Sequence, residues 1–268
     1  MTKPPVSLEL DSPELAATYD ATSVHQLKHG IELVAALGVK AGERVLDVGC
    51  GTGRLGEHVA RLVEPDGAAF GIDPLPLRIE IAARKHPRFH ARVGRAEDLS
   101  DFADAQFDVV FANSVFHWVE DPLRALREAY RVLAPGGRIG VNSADAERPH
   151  QSAVLFRDAL IAAGIAGAQQ VNTHGPPRRL SADRLRSLLT AAGFHDLRIE
   201  RQVAVDEVSG VDEYIAWMKS STFGNFLLDL SSTEQERARA VLRDQLEPLR
   251  GATGIRLERY LVVGFARR

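Results

Sequence analysis

Cysteine is almost missing: Cys50 is the only one in 268 residues. No intramolecular disulfide can form, which excludes a small secreted fold stapled by bridges. An excess of positive charge is missing as well. The formal net charge is −3, so the basic footprint of a nucleic-acid binder is not there. No apolar run approaches the length that a membrane helix needs, and residues 1–11 hold no apolar core of signal-peptide length. The sequence has neither internal repeats nor low-complexity tracts. These absences lead to the expectation of a cytoplasmic protein that partners neither nucleic acid nor membrane.

What is there is an ordinary globular composition, 45% hydrophobic, in a chain long enough to bury a substantial core. Strands are expected over 44–48, 68–72, 89–93, 107–112 and 138–142. Helices are expected over 55–63, 75–85 and 122–133, from apolar residues at helical spacing. Strands that alternate with helices and are apolar on both faces predict an α/β fold, its parallel sheet covered on both sides. Asp121-Pro122 reads as an N-cap with Pro at the first helical position. Pro135-Gly136-Gly137 should stop that helix and turn the chain into the fifth strand. Ser181 begins another helix, and Gly193 sits just past its end, where a left-handed residue is wanted.

Two more strands are expected at 196–205 and 257–267, bringing the number to seven. A helical stretch over 211–249 lies between them. A second extra segment, 144–180, contains Gly175-Pro176-Pro177. The expectation is one domain: an N-terminal helical segment (1–40), a core (41–143), cap segments at 144–180 and 207–252, and the last two strands.

The most specific signal is Val45-Leu46-Asp47-Val48-Gly49-Cys50-Gly51-Thr52-Gly53. A strand ends in a loop with glycines at alternate positions, and a helix follows. Glycines permit a tight turn and a close approach of ligand to backbone. In a doubly wound sheet such a loop sits at the carboxyl edge, where ligands bind. Four more segments follow in order: Phe70-Gly71-Ile72-Asp73-Pro74, Ala96-Glu97-Asp98-Leu99, Phe107-Asp108-Val109-Val110-Phe111-Ala112-Asn113, and Arg131-Val132-Leu133-Ala134-Pro135-Gly136-Gly137.

With these five in register, the stretch 19–142 resembles class I S-adenosylmethionine (SAM)-dependent methyltransferases. It is most similar to the ubiquinone/menaquinone-biosynthesis and trans-aconitate-like small-molecule group. The resemblance implies a Rossmann-like, doubly wound, mostly parallel seven-stranded sheet with helices on both faces and a helical cap. It implies SAM as cofactor, methyl transfer to a carbon, oxygen or nitrogen of a small-molecule acceptor, and no metal. Asp73 would accept hydrogen bonds from both ribose hydroxyls, as an acceptor-only group with two oxygens can. Its replacement by Ala should weaken SAM binding and leave the fold intact. Gly49, Gly51 and Gly53 would let the backbone pass beside the methionine portion, and Asp47 and Pro74 would also belong to the cofactor site. Ala96 and Glu97 would meet the adenine, and Asn113 and Ser114 would present backbone groups toward the amino group. Tyr19 and His25, on the N-terminal segment, would fold over the cofactor.

On the acceptor side, His117 is the best candidate for a general base, since its ordinary pKa suits proton transfer near neutrality. Alternatively, His117 and Trp118 wall the pocket. Tyr214, Trp217 and Met218 fall on one helical stripe, continued by Phe223, and would line an apolar pocket or dock the cap. Arg178 and Arg179 would receive an acidic substrate or remain solvated. His150 and His174 are weaker candidates. Two rival functions share the fold: SAM binding without methyl transfer, and a nicotinamide-dependent oxidoreductase. The latter is disfavoured by Gly-x-Gly-x-Gly spacing in place of Gly-x-Gly-x-x-Gly. The sequence leaves the oligomeric state open.

Overall fold

The computed structural model describes residues 7–165, 178–224, 226, 227 and 230–268. His174 and Gly175-Pro176-Pro177 lie outside them. The strands are β1 (Arg44–Val48), β2 (Ala68–Asp73), β3 (Phe89–Val93), β4 (Phe107–Asn113), β5 (Leu133–Ala144), β6 (His195–Val208) and β7 (Ile255–Arg267). The helices are α1 (Pro13–Thr22), α2 (Val24–Leu37), α3 (Arg54–Val63), α4 (Pro76–Lys85), α5 (Pro122–Val132), α6 (Gln151–Ala162), α7 (Ala182–Ala191), α8 (Val211–Ser221) and α9 (Ser232–Leu246).

The strands form one sheet in the order β3-β2-β1-β4-β5-β7-β6. Neighbours from β3 to β5 are parallel, and β7 runs antiparallel to β5. The order reverses at β1 and β4, which is where a doubly wound sheet opens a crevice at its carboxyl edge. Both faces are covered. Ile139 and Val141 of β5 share a core with Leu126 and Ala129 of α5 and Leu185 and Leu189 of α7. Gly140, between them, points the other way, where an added Cβ would meet Leu37 at 2.8 Å and Leu33 at 3.2 Å, both on α2. Arg138 ties α2 to the sheet: Nε donates to the Leu37 carbonyl at 2.5 Å, and Nη1 and Nη2 grip the two Glu43 oxygens at 2.9 and 2.8 Å.

Two expectations are corrected. Pro135-Gly136-Gly137 does not precede the fifth strand but lies inside it. Phe107 pairs with Leu133 and Val109 with Arg138, so the ladder shifts register and the loop residues ride as a bulge. The stretch 211–249 is not one helical run. It breaks after Ser221, where Phe223, Gly224 and Leu227 take positive φ angles of 45°, 85° and 58°. It restarts at Ser231, whose side chain and Glu234 form a reciprocal capping box.

The chain divides into two compact units. One takes Gln26–Glu147, Arg178–Gln202 and Leu261–Arg268; the other takes Met1–His25, Arg148–Pro177 and Val203–Tyr260. The first is the sheet unit and the second, which holds the segments expected as caps, is the cap unit; β6 and β7 contribute residues to both. The cap has its own core, built from Phe156 and Leu160 of α6, Tyr214 and Trp217 of α8, and Ala238 and Leu242 of α9. Among the described residues, no helix is long and apolar enough to cross a membrane.

Candidate cofactor and acceptor site

Everything central to the site lies in the sheet unit, at the carboxyl ends of β1, β2, β4 and β5. The turn after β1 is set by three left-handed glycines, Gly49, Gly51 and Gly53, with φ of 81°, 54° and 82°. Two of them are also required by packing. A Cβ on Gly49 would stand 2.2 Å from a Val115 methyl, and one on Gly53 would stand 2.8 Å from the Ala82 methyl. The Gly49 and Cys50 amides both donate to the Ile72 carbonyl, at 2.8 and 2.9 Å. Gly53 caps α3 without any side-chain acceptor, which leaves the first-turn amides open to a ligand.

Asp73 holds this turn from the tip of β2. Its Oδ2 accepts from the Gly51 amide at 2.9 Å and its Oδ1 from the Leu75 amide at 3.0 Å. The side chain is thus built into the turn, and the residue is only 7% exposed. The expectation that Asp73→Ala leaves the fold untouched is therefore corrected. Removing the carboxylate strips two backbone donors of their acceptor, and each such loss costs about 1–3 kcal/mol when buried.

Asp47 lies within β1 and is buried. Burial, and then the charge of Asp73, push its pKa well above the ordinary carboxylate value. Burial likewise raises the Cys50 thiol, with Asp47 and Asp73 adding to the effect. A thiol held protonated is no nucleophile, so Cys50 is a small residue filling a tight turn. Ala96 is buried, and Glu97 accepts from the Glu120 amide at 2.8 Å through Oε1, tying the loop before α5 to the loop after β3.

At the ends of β4 and β5 the sequence reasoning missed one participant, Asn142. Its Oδ1 accepts from the Ser114 amide at 2.5 Å and its Nδ2 donates to Asn113 Oδ1 at 2.7 Å. Asn113 Nδ2 in turn donates to the Gln26 carbonyl at 2.8 Å. The relay fixes Ser114 at φ 60°, an uncommon state for a residue with a side chain. The Ser114 hydroxyl is buried with no hydrogen-bond partner among the described residues. Asn142 ends the fifth expected strand, so its place beside the site was readable; its side-chain bond to a residue 28 positions away was not.

His117 is 7% exposed. Its Nδ1 lies 3.4 Å from both Ser143 Oγ and the Ala144 amide nitrogen. A backbone N–H can only donate, so Nδ1 presents its lone pair and the neutral ring carries its proton on Nε2. Trp118 packs against it, with ring centroids 5.5 Å apart.

Most of the remaining expected residues fall in the cap unit. Tyr214 and Trp217 are buried in the cap core, with Met218 packed against it, so the stripe docks α8 onto α6 and α9. Burial raises the Tyr214 hydroxyl to about 12. Phe223 is buried in the break after α8. Tyr19 sits on α1. His25 faces Asp206, with Nδ1 3.5 Å from Oδ1, and meets the edge of Trp217. Asp206 also takes a 2.7 Å bond from Arg259 Nε. Desolvation lowers the His25 pKa, against the opposing pull of Asp206. His150 caps α6 and accepts from the Tyr260 amide at 3.0 Å through Nδ1, a structural role. Among the described residues, no group of three His, Cys, Asp or Glu side chains could hold a metal ion.

The glycine turn, Asp73, Ala96-Glu97 and Asn113-Ser114 all fall between residues 46 and 141, which match a protein family described as "Methyltransferase domain". This stretch is similar to methyltransferase domains. An uncharacterized methyltransferase of Mycobacterium tuberculosis is 41% identical to the chain over 101 residues, 38% of this chain and 40% of that protein. The malonyl-[acyl-carrier protein] O-methyltransferase of Hahella chejuensis is 31% identical over 181 residues, 67% of this chain and 60% of that protein. The matched residues therefore span less than two thirds of either relative. The fold of the matched stretch and its surroundings is that of class I SAM-dependent methyltransferases. A SAM-dependent methyltransferase from Aquifex aeolicus superposes with a TM-score of 0.54 at 17% identity, covering 96% of this chain and 98% of that one.

Proposed function

We propose that the chain is a SAM-dependent methyltransferase acting on a small-molecule acceptor, with the cofactor held across the glycine turn of the sheet unit. The observation that carries this reading is Asp73. Its carboxylate stands at the tip of β2, locked by Gly51 and Leu75, an acceptor-only group with two oxygens. That is what a ribose diol needs. The Ser114 hydroxyl, buried and unpartnered among the described residues, is a second polar group that a bound cofactor would satisfy.

SAM supplies an electrophilic methyl on a positive sulfur. The chain's own contribution is to bind, orient and keep out water. Alignment of this kind can supply roughly 7–11 kcal/mol. Asp73 grips the sugar, Ala96 and Glu97 flank the base, and Asn113 with Ser114 faces the amino acid portion. His117 acts in this reading as a hydrogen-bond donor through Nε2 that orients the acceptor, since a base at Nε2 would need the opposite tautomer.

The test is calorimetric titration with SAM and transfer of methyl label to a panel of small acceptors. Wild-type protein should bind SAM, and Asp73→Asn, which turns one acceptor into a donor, should bind at least about ten-fold more weakly. Unchanged affinity in Asp73→Asn would remove this residue from the site. Tight binding with no label transferred across a broad panel would favour a SAM-binding protein without methyl transfer. The Hahella relative methylates, by its name, an oxygen of a malonyl group, so carboxylic acids belong in that panel.

A further inference from the structure

Arg179 follows residues 166–177, which contain no Asp or Glu. Its backbone is pinned on both sides within the sheet unit. The Arg178 amide donates to the His117 carbonyl at 3.2 Å, and the Leu180 amide donates to the Ala144 carbonyl at 3.2 Å. The Ala146 amide returns a bond to the Leu180 carbonyl at 3.0 Å. This short strap lies at the carboxyl end of β5, beside His117 and next to Ser143 and Asn142.

Arg178 is exposed, but Arg179 is partly buried, and its guanidinium has no hydrogen-bond or ion-pair partner among the described residues. The carboxylates nearest along the backbone are already engaged elsewhere. Asp145, which bridges to Leu180, is almost fully buried. Its Oδ1 accepts from the Glu147 amide at 2.8 Å, and its Oδ2, which takes no hydrogen bond among the described residues, pairs electrostatically with Arg201 Nε at 3.6 Å. Glu147 is bonded directly to Arg201 as well. Asp183, four residues on, is exposed. Burial alone pulls the Arg179 pKa down, with no carboxylate close enough to oppose it.

A guanidinium stays charged in a protein, and a partly desolvated charge without a counter-ion is unfavourable. Burial without a partner makes sense if the partner arrives from outside. We propose that Arg179 is the carboxylate-binding residue of the acceptor site, pairing with an acid group carried by the small molecule that binds beside His117. The proposal rests on the methyltransferase reading given above and adds the class of acceptor. A planar, two-pronged donor matches a carboxylate through two parallel bonds. Arg201 is neutralised by Asp145 and Glu147 and Arg178 on the strap itself is exposed to solvent, so a singly charged group fits this site better than a phosphate.

The experiment is a calorimetric titration of the full chain with sodium malonate, sodium acetate and inorganic phosphate, each with and without saturating S-adenosylhomocysteine, at constant ionic strength set by chloride. Malonate should bind with a dissociation constant in the millimolar range or tighter, and phosphate more weakly. Arg179→Gln should weaken malonate at least ten-fold. Arg179→Lys, which keeps the charge and loses the fork, should fall between. S-adenosylhomocysteine affinity should be the same in all three proteins. Melting temperature provides the second readout. Arg179→Gln removes an uncompensated charge and should melt at or above the wild-type temperature, whereas an arginine kept for stability would lower it. Malonate binding no better than chloride, malonate affinity unaltered in Arg179→Gln, or phosphate binding more tightly than malonate would each overturn the proposal. Failure of S-adenosylhomocysteine to bind would count against the cofactor reading instead, and the titrations without it would still decide on Arg179.

Discussion

At the scale of single residues, the glycine turn separates what the backbone needs from what a ligand needs. Gly49 has a left-handed φ of 81°, and a Cβ there would stand 2.2 Å from Val115. Gly49→Ala should therefore destabilise through both strain and overlap, by about 2–4 kcal/mol in a denaturant titration. Adding Val115→Ala should recover the overlap part and leave the strain part, so the pair should be less than additive. Full additivity would show that the two residues do not press on each other. Asp47 offers a test in pH. Its folded pKa is raised, so its contribution to stability is complete below the unfolded value of about 3.9 and is lost as pH climbs toward the folded one. Asp47→Asn cannot ionise. It should gain in melting temperature relative to wild type between pH 5 and pH 8, and a difference independent of pH would contradict the raised value.

At the scale of elements, the parallel core was legible from residue order alone. Strands β1 to β4 and helices α3 to α5 fall within a residue or so of the runs read from apolar spacing, because β1, β2 and β4 are largely buried and each helix buries one face, while β3 is an edge strand with His90 and Val93 exposed. The candidate site was legible to the extent that it is made of strand tips: the resemblance points to Asp73, Asn113 and Ser114, at the ends of β2 and β4. What escaped was tertiary. The bulge at Pro135-Gly136-Gly137 arises because Leu133 already pairs with Phe107. The Asn113–Asn142–Ser114 relay joins two strand ends that no spacing rule connects. The break between α8 and α9 could have been found locally, since Ser231 and Glu234 have capping-box spacing. Ser231→Ala should lower stability by about 1 kcal/mol in a denaturant titration. A change below a few tenths would mean that the break is held by packing alone.

At the scale of the whole molecule, two compact units share one chain. The stripe of Tyr214, Trp217 and Met218 reads equally well as pocket lining or as packing from sequence, because both need apolar residues on one helix face. In the structure Tyr214 and Trp217 lie in the cap core, with Met218 packed against it. Leu242→Ala, deep in that core, should cost about 2–5 kcal/mol. Hydrogen exchange should then quicken in α6, α8 and α9 while β1, β2 and β4 keep their protection, and equal loss throughout would show a single cooperative unit. The chain passes between the units five times, so neither unit is one continuous piece of sequence. Gly140 sharpens the point. A fragment trimmed to 46–141 would shed Leu33 and Leu37 from above that glycine, and Glu43 and the Leu37 carbonyl from Arg138. Its sheet would meet water along a bare greasy flank with a stranded cation at the rim, and it should clump rather than yield a miniature of the whole.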